Sequence, residues 1–301
     1  MSAAASLKAE EPSVVEAWLA AARPKTLPAT LAPIVLGFAL AMTDGVSSWW
    51  ITLLAALSAG LIQIGTNFAN DYFDFVKGAD TEDRVGAPRA TQQGWITPKA
   101  MARATALTFL AAFLSGLSLV WIGGVEILIL GLVSIACGVW YTGGRYALAY
   151  IGLGDLFVFV FFGPVAVCAT YYLQAGSVGW PIFWLSIPIG LLMTAIIVVN
   201  NHRDRPQDEK VGKRTLAVRF GDRFSVWEYG TLVFGAYVLV SWLALYYQKP
   251  YWLLSWVTLG TAWKCFEGFR RRSGADLNPL LGATAQLGLR FSIGLSVGVL
   301  L

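Results

Sequence analysis

The chain has 301 residues, of which 56% are hydrophobic and 13% are charged. That charged fraction is about half of what soluble globular domains carry, and residues 51–66 and 156–172 hold no charge, so the composition excludes a soluble packing and indicates a membrane protein. The formal net charge of +4 does not indicate nucleic acid binding, because basic residues of membrane proteins collect on cytoplasmic loops.

Taken in chain order, nine apolar stretches are long enough to cross a bilayer. We expect residues 1–17 to form an N-terminal cytoplasmic tail and residues 18–301 to form one membrane domain. The nine predicted helices are 28–43, 49–69, 101–122, 125–142, 151–173, 180–200, 225–247, 251–266 and 280–300. An odd number of crossings puts the two termini on opposite sides of the membrane.

The distribution of basic residues supports this count. If the N-terminal segment and the loops after predicted helices 2, 4, 6 and 8 share one side, that side holds every basic residue except Lys249 and Arg290. Basic loops stay in the cytoplasm. We therefore expect a cytoplasmic N-terminus, cytoplasmic active-site loops and a C-terminus on the opposite side.

Acidic residues cluster at the cytoplasmic ends of two predicted helices. Helix 2 runs into Asn67-Phe-Ala-Asn70-Asp71-Tyr-Phe-Asp74, and helix 6 runs into Asn200-Asn201-His202-Arg203-Asp204-Arg205-Pro206-Gln207-Asp208. The two helices are four apart in order. This predicts an internal repeat of four helices plus a ninth, with the two copies facing each other across a cavity.

The spacing of these carboxylates indicates a metal site. On a helix, Asp71 and Asp74 project from one face, as do Asp204 and Asp208. Stacked carboxylates at a membrane boundary repel one another unless a cation compensates, and oxygen ligands with open positions suit Mg²⁺ bound to a diphosphate. One such pair alone is more often a solvated acidic loop or a helix cap. Two matching clusters favour the metal and the diphosphate.

Basic residues beside the clusters fit the same interpretation. The first cluster is followed by Lys77, Arg84 and Arg89, and the second by Lys210, Lys213 and Arg214, while Arg145 lies in the loop after predicted helix 4. Ammonium and guanidinium groups bind diphosphate oxygens. The alternative is that these residues serve only the positive-inside rule.

The two clusters extend into longer motifs that resemble those of the UbiA superfamily of intramembrane prenyltransferases. The first reads NDYFDFVKGAD over residues 70–80, and the second reads NNHRDRPQDEKVGKRTLAVRFG over residues 200–221. Three more stretches, RPKTLP at 23–28, YTGGR at 141–145 and YIGLGD at 150–155, are similar to the branch that prenylates 1,4-dihydroxy-2-naphthoate in menaquinone synthesis.

The resemblance implies an all-α polytopic membrane fold, with about nine transmembrane helices around a central cavity and a cytoplasmic cap, in a bacterial inner membrane. It implies two Mg²⁺ between the motifs at 67–83 and 200–215, holding an allylic polyprenyl diphosphate. Ionisation gives an allylic cation, and the dihydroxynaphthoate attacks it and loses CO₂ to give demethylmenaquinol. The implied partners are these two substrates and the lipid bilayer, with no nucleic acid and no obligate protein partner.

The residues and the resemblance together predict the members of the site. The expected metal ligands are Asn70, Asp71, Asp74, Asp80, Asp204 and Asp208. Asp83 is the alternative to Asp80, because Gly78 stands where many superfamily members carry the third acid. The expected catalytic residues are Asn70, Asp71, Asp74, Arg145, Asp155, Asp204 and Asp208. The expected substrate-binding residues are Lys25, Asn67, Lys77, Arg84, Tyr141, Asn201, Lys213 and Arg214.

Some of these positions carry narrower hypotheses. Arg23 and Lys25, at the start of the first predicted helix, are expected to hold the naphthoate carboxylate. Asp155 is expected to orient Arg145 or to accept a proton, and its alternative is a helix cap. Five aromatic residues offer π faces to a cation, although aromatic residues also gather at membrane interfaces: Tyr72, Trp140, Tyr141, Tyr146 and Tyr150.

Two alternatives stay open from the sequence. The first is an enzyme of the same superfamily with another aromatic acceptor, such as 4-hydroxybenzoate or homogentisate. The second is a membrane transporter. Transporters usually place ionisable groups near the middle of the membrane, whereas these acids gather at one face, which favours an enzyme at the interface.

Overall fold

The computed structural model describes residues 12–80 and 84–301. These residues form helices and loops with no β-strand among them, which confirms the predicted all-α fold. The α-helices within them are α1 (Val14–Ala22), α2 (Pro28–Thr43), α3 (Trp49–Val76), α4 (Pro98–Trp140), α5 (Gly154–Val160), α6 (Ala166–Ala175), α7 (Trp180–Lys210), α8 (Leu216–Tyr246), α9 (Leu259–Arg271) and α10 (Asn278–Leu300).

Two shorter helical segments complete the spans. A π-helical turn, Phe161–Val165, joins α5 to α6, and a 3-10 run, Pro250–Thr258, leads into α9. Among the described residues, six helices are long and apolar enough to cross a membrane. A seventh span results when the segment Val14–Thr26 and α2, bent by 48°, are counted together.

The remaining crossings come from α4 and from the segment before α10. The 43 residues of α4 would be about 65 Å long if straight, roughly twice the hydrocarbon thickness of a bilayer. The helix breaks at Gly124, whose φ of 74° and ψ of −162° suit glycine alone. The break separates the predicted spans 101–122 and 125–142. With the run from Pro250 to Arg271, the predicted count of about nine is confirmed.

The interior of the bundle is built around α7. Leu185, Ile189, Leu192 and Met193 of this helix are fully buried, in a cluster with residues of α2, α6, α8, α9 and α10. Outward-facing apolar side chains, by contrast, are left bare, as a lipid-facing surface requires: Trp121, Leu245 and Val257 are 79–91% exposed. The second acidic motif therefore stands at the end of the most firmly packed helix.

The helix α1 packs against the C-terminal part of α3 and the N-terminal end of α4. Ala17 and Ala21 are buried in a cluster with Phe68 and Met101, and a capping box between Ser13 and Glu16 begins the helix. Residues 14–17, which the sequence assigned to the tail, thus belong to a helix. The first 11 residues of the predicted tail lie outside the described part of the chain.

The π-helical turn brings the span from α5 to α6 into backbone contact with α7. A Cβ added to Gly163 would lie 2.7 Å from Gly190 Cα, and a Cβ added to Gly190 would lie 2.9 Å from Phe159 O. The two backbones can approach this closely because both positions are glycine and carry no Cβ. The contact fixes the aromatic side chains of the turn beside α7.

We expect Gly190→Val to lower the free energy of unfolding by about 1–3 kcal/mol, because the added carbons overlap backbone atoms. Denaturant titration of the purified protein in detergent measures the change. Gly60→Val is the matched control, since nothing lies within 4 Å of its added Cβ. Equal losses in the two variants would contradict the close contact.

Candidate active site

A cavity of about 410 Å³ lies between α2, α3, α4, α7 and the span from α5 to α6. One end of the cavity is lined by amides and acids of both motifs: Asn67, Asn70, Asp74, Asn200, Asn201, Asp204 and Asp208. The rest of the wall is mostly apolar, and the packed cluster of Ala55, Leu119, Ile127 and Leu173 lines the far end. From Ala55 to Asp74, α3 is about 28 Å long. The two motifs do meet at one end of a cavity.

Lys213 joins the two motifs directly. Its Nζ lies 3.3 Å from both oxygens of Asp74 and 3.9 Å from Asp208 Oδ1. The helix α7 ends at Lys210, and a turn through Gly212, with φ of 77°, brings Lys213 back over the cavity. Lys213, which the sequence predicted to bind the substrate, thus lies between Asp74 of the first motif and Asp208 of the second.

Asp74 is the most connected acid of the first motif. It is 1% exposed, and it accepts hydrogen bonds from Tyr150 Oη at 2.9 Å and from Arg89 Nη2 at 3.2 Å. The pKa of Tyr150 is raised by burial first and by the Asp74 carboxylate second, so the phenol stays a donor. Arg89 is one of the basic residues noted after the first cluster, but it was not among the predicted site residues, because no spacing distinguishes it from other loop arginines.

Asp71 faces away from the cavity. Its two oxygens accept the backbone N–H groups of Ala90 at 3.0 Å and Thr91 at 2.9 Å, and it does not line the cavity wall. The structure therefore does not bring this predicted ligand to the cavity with Asp74. Its observed contacts hold the loop that carries Arg89 against the end of α3.

Asp80 lies in the loop after α3 and is also buried. Arg84 Nη1 donates to Asp80 Oδ1 at 2.5 Å, and Arg89 Nε lies 3.5 Å from Asp80 Oδ2. Burial raises the pKa of Asp80 to about 6, although the charge of Arg84 acts in the opposite direction. The alternative ligand Asp83 lies outside the described residues.

Arg203 holds the first acid of the second motif. Its Nε and Nη2 donate to the two oxygens of Asp204, each at 2.7 Å, and its side chain is buried. Sequence reasoning missed this role, although Arg203 directly precedes Asp204. A helix places neighbouring residues about 100° apart, so the pairing needs the long arginine side chain to fold back.

Four cationic side chains line the cavity: Arg23, Arg84, Arg89 and Lys213. Arg23 is unusual because its backbone is left-handed, with φ of 55° and ψ of 62°, and because its buried Nη2 has no hydrogen-bond partner. Asn67 Nδ2 donates to Ala22 O at 2.9 Å and fixes the chain just before Arg23. Lys25, the other hypothesised carboxylate ligand, is exposed and does not line the cavity.

Several predicted residues support the cap and do not face the cavity. Lys77 Nζ donates to the carbonyls of Thr142 and Gly144, and burial lowers its pKa. Arg214 is exposed, and its backbone N–H donates to Tyr150 O at 2.9 Å. Together with the contacts of Lys213, these contacts join the loops that follow α3, α4 and α7. The predicted cap therefore includes the loop between α4 and α5 as well.

The other predicted residues divide in the same way. Asn70 accepts a hydrogen bond from Thr142 Oγ1 at 2.8 Å at the cavity wall. Of the five hypothesised aromatic residues, Tyr141 lines the cavity and the rest do not. Arg145 is exposed. Asp155 is buried, and neither of its oxygens has a hydrogen-bond partner, so it makes no hydrogen bond to Arg145.

The donor set fits Mg²⁺ shared with a phosphate ligand. Within the described ranges, no three acidic, histidine or cysteine side chains are grouped closely enough to hold an ion by themselves. Mg²⁺ is commonly held by one or two carboxylates together with substrate phosphates and waters. Asp74, Asp204 and Asp208 with the amide oxygens of Asn70 and Asn201 supply such hard oxygen donors from two sides of the cavity.

The comparison with known proteins assigns the family. Residues 30–286 match the UbiA prenyltransferase family. The chain belongs to this family. It is 41% identical over 246 residues to the 1,4-dihydroxy-2-naphthoate octaprenyltransferase of Escherichia coli, covering 80% of each chain. Its identity to the Mycobacterium tuberculosis protein of the same name is 38% over 269 residues, covering 89% of this chain and 91% of that one.

A solved structure supports the fold. The UbiA homolog from Archaeoglobus fulgidus, bound to GPP and Mg²⁺, superposes with a TM-score of 0.64 at 16% identity, covering 93% of this chain and 99% of that chain. The resemblance that the motifs suggested is confirmed. The protein is an intramembrane prenyltransferase.

Proposed function

We propose that this UbiA family member transfers a polyprenyl group from an allylic polyprenyl diphosphate to 1,4-dihydroxy-2-naphthoate, with loss of CO₂, to give demethylmenaquinol. The observation that carries the proposal is a largely apolar cavity with acids of two motifs and a set of cations at one end. The names of the E. coli and M. tuberculosis relatives support the acceptor. The GPP and Mg²⁺ of the A. fulgidus homolog support the donor and the metal.

The charged end of the cavity binds the diphosphate. Asp74, Asp204 and Asp208 are proposed to hold two Mg²⁺, whose charge makes the diphosphate a better leaving group. Lys213 and Arg84 bind the remaining diphosphate oxygens, since both line the cavity and both carry positively charged N–H donors. Tyr150 and Arg89 keep the Asp74 carboxylate in one orientation through their hydrogen bonds.

The apolar part of the cavity protects the reactive intermediate. When the carbon–oxygen bond breaks, its electron pair leaves with the diphosphate, and the allylic cation remains among the π faces of Tyr141, Phe157, Phe161 and Phe162. The ring carbon that bears the carboxylate then bonds to the cation. The bond to the carboxylate breaks, its electron pair restores the aromatic ring, and CO₂ departs.

Arg23 is the proposed carboxylate ligand of the acceptor. Its guanidinium lines the cavity with one unpartnered nitrogen, and planar guanidinium groups bind carboxylates through two parallel hydrogen bonds. Lys25 lacks this access because it is exposed. Of the two residues that the sequence predicted for this role, Arg23 is therefore the one that we propose.

The topology supports an enzyme that works from one membrane face. We propose a bacterial inner-membrane location, with the N-terminus and the acidic end in the cytoplasm and the C-terminus on the other side. A transporter would need a path to both faces. The packed cluster of Ala55, Leu119, Ile127 and Leu173 stands at the far end of the cavity and argues against such a path.

We expect Asp74→Asn and Asp208→Asn each to lower turnover by about 100-fold, because each removes a carboxylate from the metal and diphosphate site. Purified protein, a polyprenyl diphosphate, Mg²⁺ and a panel of aromatic acceptors provide the assay, with CO₂ and prenylated product as readouts. Asp276→Asn, in the exposed turn before α10, is the control. Unimpaired turnover in both site variants would contradict the metal site, and product only from 4-hydroxybenzoate or homogentisate would contradict the acceptor.

We expect Arg23→Ala to raise the KM for the naphthoate about 10-fold or more while the KM for the prenyl diphosphate changes little, because a charge-assisted contact is worth roughly 1.5–3 kcal/mol. Steady-state kinetics with each substrate varied in turn measures the split. Lys25→Ala is the matched control and should leave both constants near their original values. Equal increases for donor and acceptor in Arg23→Ala would contradict the carboxylate role.

We expect Gly131→Phe to limit the length of prenyl donor that the enzyme accepts. Gly131 lines the cavity and nothing lies within 4 Å of an added Cβ, so a phenyl ring would occupy the space proposed for the tail. Turnover with geranyl diphosphate should persist, and turnover with octaprenyl diphosphate should fall. The control is Gly60→Phe, which has equal room but lies off the cavity wall. A parallel loss with both donors would contradict the path of the tail.

A further inference from the structure

We propose that Asn278, at the start of α10 and outside both acidic motifs, is a positioning residue for Asp204. The proposal rests on the proposed function, in which Asp204 binds Mg²⁺. The side chain of Asn278 makes two hydrogen bonds, one to Arg203 and one to the segment that follows the first motif. Each leads to Asp204 by a different route.

The first route runs through the guanidinium of Arg203. Arg203 Nη1 donates to Asn278 Oδ1 at 3.0 Å, and Nη2 donates to Asn200 Oδ1 at 2.8 Å. The edge formed by Nε and Nη2 donates to the two oxygens of Asp204, so Nη2 serves both Asn200 and Asp204. Because the guanidinium is planar and rigid, fixing Nη1 also fixes the edge that faces the carboxylate.

The second route runs through residues 84–86. Asn278 Nδ2 donates to Val85 O at 3.1 Å. The adjacent Arg84 contacts Asp80 and also lies 3.8 Å from Asp204 Oδ2. A Cβ on Gly86 would lie 2.6 Å from Arg203 Nη2, so this backbone packs directly on the guanidinium. Asn278 therefore ties the segment and Arg203 to each other.

An asparagine suits this place because its amide offers an acceptor and a donor in one plane. Arg203 is 3% exposed, so losing the amide would leave the Nη1 group without its partner in a buried site. Arg203 uses one lone pair on each Asp204 oxygen, and each oxygen has a second lone pair that can face an ion. Residues that orient metal ligands typically change metal affinity or activity by about 10–100-fold when they are replaced.

The test is the Mg²⁺ dependence of prenyl transfer in the full-length protein. We expect Asn278→Ala to raise the Mg²⁺ concentration for half-maximal turnover by about 10-fold, while kcat at saturating Mg²⁺ changes much less. Thr284→Ala is the matched control. Thr284 lies on α10, as Asn278 does, and the substitution removes its buried hydrogen bond with Tyr229 Oη of α8, away from the motifs. Both variants should lose thermal stability, and only Asn278→Ala should shift the Mg²⁺ dependence.

Asn278→Asp separates the two routes and serves if the alanine variant does not fold. It keeps an oxygen for Arg203 and loses the donor to Val85, so its Mg²⁺ shift should be smaller than 10-fold. A wild-type Mg²⁺ dependence in Asn278→Ala, or an equal shift in Thr284→Ala, would overturn the proposal. If the alanine variant does not fold, a wild-type Mg²⁺ dependence in Asn278→Asp would overturn the second route, because that variant lacks the donor to Val85.

Failure of the proposed function has a different signature. In that case the unaltered protein gives no product from any aromatic acceptor. Calorimetric titration of Mg²⁺ into protein with geranyl diphosphate needs no acceptor, and we expect weaker Mg²⁺ binding in Asn278→Ala than in Thr284→Ala. Equal binding in the two variants would overturn the positioning role whatever the acceptor is.

Discussion

The structure depends on how four nearly buried carboxylates are compensated at the boundary between lipid and water. Asp74, Asp80, Asp204 and Asp208 are 1–8% exposed, and a buried charge without a partner costs several kcal/mol. Each of the four has an arginine or lysine within 4 Å. Two of the cations also reach the acid of the other motif: Lys213 lies 3.3 Å from Asp74 and Arg84 lies 3.8 Å from Asp204. The loops that follow α3 and α7 therefore fold over the acids, because the acids need the charges that these loops carry.

This compensation also divides the cavity into two regions with different solvent properties. Charged groups are confined to the end where the two acidic motifs meet, whereas aliphatic and aromatic side chains form most of the remaining wall. A diphosphate favours the first region and a hydrocarbon tail favours the second. A polyprenyl diphosphate can therefore enter in one orientation only, with its scissile carbon–oxygen bond at the boundary between the two regions.

The sequence allowed the elements and the location of the site to be predicted, because both depend on local patterns. The lengths of the apolar stretches predicted the membrane spans. The spacing of the acidic residues predicted which two helix ends meet. Side-chain direction at those ends was not predictable, because tertiary neighbours decide it. Asp71 turns toward the backbone of Ala90, and Lys25 is left outside while Arg23 faces inward. The periodicity of an α-helix does not apply to residues 23–27, because they lie between α1 and α2 and include the short 3-10 helix Pro24–Thr26.

The backbone of Arg23 shows how stability and charge placement compete at this site. A left-handed conformation costs a residue with a side chain roughly 1–3 kcal/mol, and glycine adopts it almost freely. An arginine nevertheless ends α1 here, and its carbonyl accepts the hydrogen bond of Thr26 Oγ1 in the following turn. The easiest residue for this bend would carry no charge into the cavity. At the junction between α1 and α2 the protein thus carries a strained backbone conformation, and this strain keeps a positive charge close to the acidic residues.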